Sequence, residues 1–332
     1  MKAISIATLM LSVGVAAAAY AAAPQYKIVD RIKVQNGGFD YATFDPATGQ
    51  VLMARPNFTT TIDTKTGKVG EIKAAARGHI ALPIPGTALL VVTQRAGNIL
   101  IVDGKADKVE ATLKGGKNPD GAAYDPATKL VFAMNHDSGD STVVDPATKK
   151  VVGTIPIGGD LEFPVADGKG KVFVNIEDKN QIAVIDTKAK KVLTRYTLKD
   201  CDGPTGQAYD AADNYLISSC DGTAKILKAD TGAEVASLKI ANQPDAVIFD
   251  AQRKLALIPC RTPGVLEVIS LANPAKPEVV QHLQTQLGTR TGTIDPSTGK
   301  IYMMAAKFGA PATAGGRPQA LDSSFDVLVV AP

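Results

Sequence analysis

A short turn recurs along this chain at a nearly fixed period, and that period limits what the chain can fold into. In its fullest form it reads Phe44-Asp45-Pro46-Ala47-Thr48-Gly49-Gln50-Val51: an apolar strand end, an Asp-started turn and a second apolar strand. Asp at the first turn position accepts a hydrogen bond from the backbone two residues on, Pro or Thr follows, and Gly takes the left-handed position that closes the hairpin. The turn returns at Pro85-Gly86 and at Asp125, Asp167, Asp210, Asp250 and Asp295, giving seven copies spaced 40 to 45 residues apart. A second turn starts at Asp63 and returns at Asp103, Asp145, Asp186, Lys228 and Ser270, 40 to 42 residues apart. Two hairpins per period make a four-stranded antiparallel unit. Such a unit cannot bury both faces alone, so the units must stack around an axis. The expected fold is an all-β, seven-bladed β-propeller with four antiparallel strands per blade.

The repeats also resemble a known family. Val131-Phe132-Ala133-Met134-Asn135 with Val143-Val144-Asp145-Pro146, and Val172-Phe173-Val174-Asn175 with Val184-Ile185-Asp186-Thr187, are similar to the YVTN-type (YncE-like) seven-bladed propellers. Ile155-Pro156-Ile157-Gly158-Gly159 matches the Gly-rich approach to the next blade. The resemblance covers nearly the whole mature chain. It implies the propeller fold and little about function, because these motifs build blades rather than sites. Weak single-stranded DNA binding is known among relatives.

The two ends of the chain are read differently. Lys2, the apolar run Ile4 to Ala18 and the small-x-small tripeptide Ala19-Tyr20-Ala21 form a secretory signal, so residues 1–21 are expected to be removed and the protein to be periplasmic or secreted. No second apolar run offers a membrane span. Residues 22–332 are expected to form one propeller domain, since no blade boundary has linker composition. Tyr26 to Val34 alternates as a strand without a partner hairpin, and Phe325 to Val330 ends without an outer strand. Pairing these two closes the ring and removes both edges. Tryptophan is absent, so Val, Ile, Leu and Ala must fill the space between blades.

Blade boundaries follow from the period: Gly38 to Ala75, Gly78 to Gly115, Asp120 to Gly158, Glu162 to Leu198, Thr205 to Ile240, Asp245 to Leu283, and a seventh blade from Arg290. The seventh alone contains a long Gly-, Ala- and Pro-rich insertion, Lys307 to Pro318, expected to be a surface loop without strand structure. It is either a floppy insertion or a flap over the channel mouth.

Both Asp-led turns of every blade must lie at one end of the ring. The opposite end carries the loops between second and third strands and the crossings between blades, which vary, and variable loops on a rigid scaffold are where sites are built. Those loops offer Arg55, Asn57, Arg95, His136, Asp137, Glu177, Asp221, Arg261 and Lys307. The starts of the innermost strands offer Asp40, His79, Asp120, Glu162, Thr205, Asp245 and Arg290. From these we take Arg55, His79, Arg95, Asp120, His136, Glu162, Asp245, Arg261, Arg290 and Lys307 as the candidate ligand-binding set. Arg forks at an axial mouth suit a small polar or anionic ligand or a partner protein.

Chemistry beyond binding has little local support. The three histidines, His79, His136 and His282, show no ligand spacing in the linear sequence, so no metal is expected. Neither a haem-attachment motif nor the Trp-containing repeats of quinone-dependent propeller dehydrogenases is present, so no cofactor is expected. There is no Gly-x-Ser-x-Gly element, and no catalytic residue is assigned. Net charge of +3 with interspersed signs makes no case for nucleic acid or an anionic membrane. Of the three cysteines, Cys201 lies in the crossing that leads into the blade whose loop holds Cys220, while Cys260 sits one blade further on. A Cys201–Cys220 disulfide is therefore expected, with Cys260 free. The preferred function is a non-enzymatic, monomeric binding propeller of the cell envelope. A lactonase-type hydrolase working in the channel mouth and weak single-stranded DNA binding are the alternatives.

Overall fold

In the computed structural model the described residues are 24–311, 318–321 and 324–332, so the expected leader over residues 1–21 lies outside them. Seven four-stranded antiparallel blades form the ring. Blade 1 is Ala42–Asp45, Gln50–Ala54, Thr59–Asp63 and Val69–Ile72, and the same a-to-d order repeats through blade 6. Blade 7 is Gly292–Asp295, Lys300–Ala305, Asp326–Ala331 and, as its outer strand, Lys27–Lys33. That last strand runs antiparallel to Asp326–Ala331 from Lys27↔Ala331 to Lys33↔Asp326, so the two ends of the described chain close the ring. Tyr26 anchors the closure by donating its hydroxyl to Asp250 Oδ2 at 3.0 Å, in blade 6. No helix among the described residues is long and apolar enough to cross a membrane.

The turns work by the expected chemistry. Asp45 accepts the Ala47 amide at 2.9 Å and the Thr48 hydroxyl at 2.7 Å, and Gly49 follows with φ of +68°. Elsewhere the left-handed position is not reserved for glycine: Lys129, Asn214 and Lys254 occupy it with φ between 54° and 60°. Hydrogen bonding by the turn Asp holds the conformation despite the Cβ penalty of about 1–2 kcal/mol.

Between blades the core is aliphatic. Phe132 and Met134 of blade 3 pack on Val172, Val174 and Ile176 of blade 4, all fully buried. Each such side chain stabilises by about 1.5–3 kcal/mol.

Two features shape the mouth. In blades 2, 3 and 4 the innermost strand slips register between Gly78 and Ala81, Pro119 and Ala122, and Leu161 and Pro164. In blade 6 the strand breaks outright into Asn242–Pro244 and Ile248–Asp250. Extra residues in a strand bend it and re-aim a side chain. The residues so released are His79, Asp120, Glu162 and Asp245. Gly121, beside Asp120, lets the inner strands of blades 3 and 4 come close: a Cβ there would meet Pro164 Cδ at 2.7 Å.

The insertion in blade 7 corrects an expectation. Phe308–Pro311 and Pro318–Ala320 pair as a two-stranded antiparallel ribbon through Phe308↔Ala320 and Pro311↔Pro318, with a register slip between them. A two-stranded ribbon has an outer edge on both sides, where a missing proline N–H loses no ladder bond. The tip between them lies outside the described residues.

Candidate functional site at the channel mouth

The released residues converge. His79 Nδ1 lies 2.7 Å from Asp40 Oδ2 and 3.1 Å from Asp120 Oδ1, so one imidazole nitrogen on blade 2 meets carboxylates of blades 1 and 3. Its Nε2 is 3.2 Å from Asn118 Oδ1. One blade further on, His136 Nδ1 lies 2.8 Å from Asp137 Oδ1, while Nε2 faces Glu162 Oε1 at 3.4 Å and Glu177 Oε2 at 3.7 Å. Asn118 gives its amide N–H to the same Asp137 oxygen at 3.0 Å. Tyr41 donates its hydroxyl to Glu162 Oε2 at 3.2 Å. Within each set, Asp40–His79–Asp120 and His136–Glu162–Glu177, the ligand-type atoms lie within 4.8 Å of one another, close enough to hold a metal ion.

Backbone carbonyls hold the ring rigid. Tyr41 N donates to His79 O, Thr93 Oγ1 to Asp120 O, Thr205 Oγ1 to Pro244 O, and Thr291 Oγ1 to Asp40 O. Each of these bonds runs from one blade to the next, so the mouth is fixed from around the ring rather than by its own loops.

Two adjoining cavities open here and share Asp245. The smaller, about 330 Å³, is lined by Asp40, Asp120, Asp137, Glu162 and Asp245 against Arg95, with the two imidazoles between. The larger, about 800 Å³, has Glu177, Asp202, Asp221 and Asp245 against Arg261 and Arg290. Acids outnumber bases in both, and the electrostatics follow. Burial, then repulsion from Glu162, pushes the Asp120 carboxyl well above the usual carboxylate range. Burial raises Glu162 as well, and lifts Asp245 to about 7 although Arg290 pulls it down. The Glu162 carboxylate and then the Glu177 carboxylate, both facing Nε2, raise His136 to about 11. For His79, burial acts downward but Asp40 and Asp120 outweigh it, and the pKa is raised.

Of the residues expected at the mouth, His79, Arg95, Asp120, His136, Glu162 and Asp245 line the smaller cavity, and Asp245, Arg261 and Arg290 the larger. Arg290 is tied to Asp245 through Nε at 2.5 Å, and its guanidinium sits 5.3 Å from the Phe39 ring centre. Arg55 is a correction. At 1% exposure it lines neither cavity. Its guanidinium donates to Gln35 O at 2.6 Å and Gly38 O at 2.7 Å, between the rings of Phe58 and Phe325. A buried Arg with its donors used on backbone is a clamp for the segment entering blade 1. Lys307 is exposed and lines neither cavity; its backbone N–H donates to Ser324 Oγ.

The histidines show no ligand spacing in the linear sequence, yet in the folded ring His79 and His136 each face carboxylates of other blades. For His79 they are Asp40 and Asp120, each about one repeat period away, and for His136 they are Glu162 and Glu177 of the next blade, where linear spacing cannot show them. Sequence reasoning did not mark Tyr41 or Asn118, and it placed Asp40, Asp137 and Glu177 at the mouth without including them in the ligand-binding set. Tyr41 follows the Asp40 position that is equivalent to the other inner-strand starts, which was the available signal; Asn118 had none.

Cys201 and Cys220 are joined by a disulfide with a Cα separation of 5.3 Å, at the same end of the ring. Cys260 is free and buried, and burial pushes its thiol up to about 12, so it is not a reactive thiolate at neutral pH. His282 lies on the exposed outer strand of blade 6, paired with Glu267.

No family model matches the chain, and no curated protein matches it. Solved structures do. One is a chain in the crystal structure of a mitotic checkpoint complex, similar over 100% of this chain and 98% of that one, with a TM-score of 0.73 at 11% identity. At that identity the likeness is one of fold, and with 1687 solved chains matching, the fold alone selects no activity.

Proposed function

We propose that this protein is an exported binding propeller of the YVTN type whose channel mouth takes a small cationic or zwitterionic ligand, or a Lys or Arg side chain of a partner protein. The carrying observation is the excess of carboxylates over cationic groups in both adjoining cavities. The anionic ligand anticipated from the Arg residues fits less well, because Arg55 is a buried clamp and Arg290 is neutralised by Asp245. The same acid excess opposes the phosphate backbone of single-stranded DNA. Export is supported by the leader-like N-terminus and the Cys201–Cys220 disulfide. A lactonase-type hydrolase is the second reading, favoured by two imidazoles that each face two carboxylates.

A thermal-shift screen of EDTA-treated protein against matched polyamines, amino acids and dicarboxylates tests the first reading. Stabilisation by the cationic members, weakened at least several-fold by Asp202→Asn, is expected. Preference for the dicarboxylates would overturn it. Turnover of a lactone panel, lost in Glu162→Gln, would establish the second reading instead.

A further inference from the structure

We propose that the mouth is a transition-metal site with two centres: Asp40, His79 and Asp120 hold one divalent ion of the Zn²⁺ class, and His136, Glu162 and Glu177 hold a second. These residues line the smaller cavity and, through Glu177, the edge of the larger one, so the metal set lies within the proposed mouth but rests on ligand geometry rather than on the charge excess that carries the ligand reading.

The orientation of the two imidazoles carries this assignment. Asn118 gives its amide N–H to Asp137 Oδ1, so its carbonyl oxygen is the atom that faces His79 Nε2 at 3.2 Å. Nε2 must then be the N–H nitrogen. The opposite nitrogen, Nδ1, points between the Asp40 and Asp120 oxygens at 2.7 and 3.1 Å. A single proton on Nδ1 aimed at Asp40 leaves Asp120 poorly served, yet Asp120 is only 9% exposed. A metal ion serves all three atoms at once. Bonds of about 2.0–2.2 Å place neighbouring ligand atoms roughly 2.9 Å apart at right angles and roughly 3.4 Å apart in a tetrahedron.

The second set repeats the logic. Asp137 takes the Nδ1 proton of His136 at 2.8 Å, which leaves Nε2 toward Glu162 and Glu177 at 3.4 and 3.7 Å. Those separations are long for hydrogen bonds but close to a tetrahedral ligand spacing. Glu162, 8% exposed, is held by Tyr41 through its other oxygen. Metal-bound histidines are characteristically oriented by a carboxylate or carbonyl on the far nitrogen. Here Asp137 supplies that support to both rings, directly for His136 and through Asn118 for His79. One imidazole with two carboxylates suits Zn²⁺-class ions; Ca²⁺ requires six to eight oxygens, more than either set offers.

The probe is Co²⁺ alone, added to EDTA-stripped protein and followed by visible absorption, with Zn²⁺ competition and native mass spectrometry for the count. Two ions per chain, with visible bands that Zn²⁺ abolishes, are expected. His79→Gln and His136→Gln should each remove one ion, whereas His282→Gln on the outer strand should remove none. Asn118→Ala, which leaves every ligand in place, should weaken only the first centre by about 10–100-fold. The assignment is overturned if no bands form at millimolar Co²⁺, or if the count is unchanged in both His79→Gln and His136→Gln. Ca²⁺ displacing Co²⁺ on equal terms would overturn it too. Failure here leaves the organic-ligand screen, performed without metal, unaffected.

Discussion

The two ends of the ring use the same side chain in opposite ways. At the turn end, Asp63 is surrounded by donors: the Thr66 amide and hydroxyl and the Lys65 amide all point at it, and its carboxyl is held below the usual range. At the mouth, burial and the neighbouring carboxylates push the Asp120 and Asp245 carboxyls up, even though Asp120 faces His79 and Asp245 is paired with Arg290. The turn end thus stabilises the ionised acid and the fold together. The mouth instead disfavours the ionised acids, and a bound cation would relieve that penalty. Stability is invested at one end and held in reserve for a ligand at the other.

The strongest break in that comparison is a mouth-end residue that is purely structural. Arg55→Met should destabilise the protein by about 3 kcal/mol, since it strands the Gln35 and Gly38 carbonyls. Chemical denaturation measures this, and ion or ligand binding by the folded fraction should be unchanged. A ligand-binding defect without a stability defect would return Arg55 to the mouth.

Next is the disulfide. Cys201 and Cys220 close a loop with a sequence separation of 19. Its loss in Cys201→Ser/Cys220→Ser should cost about 3 kcal/mol by loop entropy. Reduction should reproduce the effect in the native protein and not in the double variant.

A smaller effect separates the two ends by pH. Asp63 has a depressed pKa, so its contribution is present above the unfolded value and is lost as pH falls through the folded one. For Asp120, Glu162 and Asp245 the folded pKa is raised. Their penalty therefore grows as pH climbs from the ordinary carboxylate range, for Asp245 through about 7. Metal-free protein should be most stable in mildly acidic buffer. Asp120→Asn should raise Tm by a few degrees at about pH 8 and change it little at about pH 5. An equal gain at both values would mean that packing, not charge, is responsible.

The smallest effect belongs to the turn end. Lys129 is exposed with φ of 60°, so Lys129→Gly should stabilise by roughly 0.5 kcal/mol, strain relief less the added chain entropy. Mouth behaviour should not change.

By itself the sequence determined the repeat. Asp-led turns such as Asp45-Pro46-Ala47-Thr48-Gly49 act within five residues, and strands such as Val172-Phe173-Val174 show their buried face by their own composition, so blade number and ring closure were legible locally. It also placed His79, Asp120, Glu162 and Asp245 at equivalent positions, because a repeat carries its register with it. What only the tertiary structure decided was how these positions combine. Whether Arg55 reaches the mouth or turns inward depends on Gln35, Gly38, Phe58 and Phe325, from the closing segment and two blades. Whether an imidazole meets an acid depends on inner-strand slips that no residue type announces. Turns and strands arise from short-range sterics and hydrogen bonds, whereas a site at a ring's axis is made by residues 40 apart that meet only after the blades have closed.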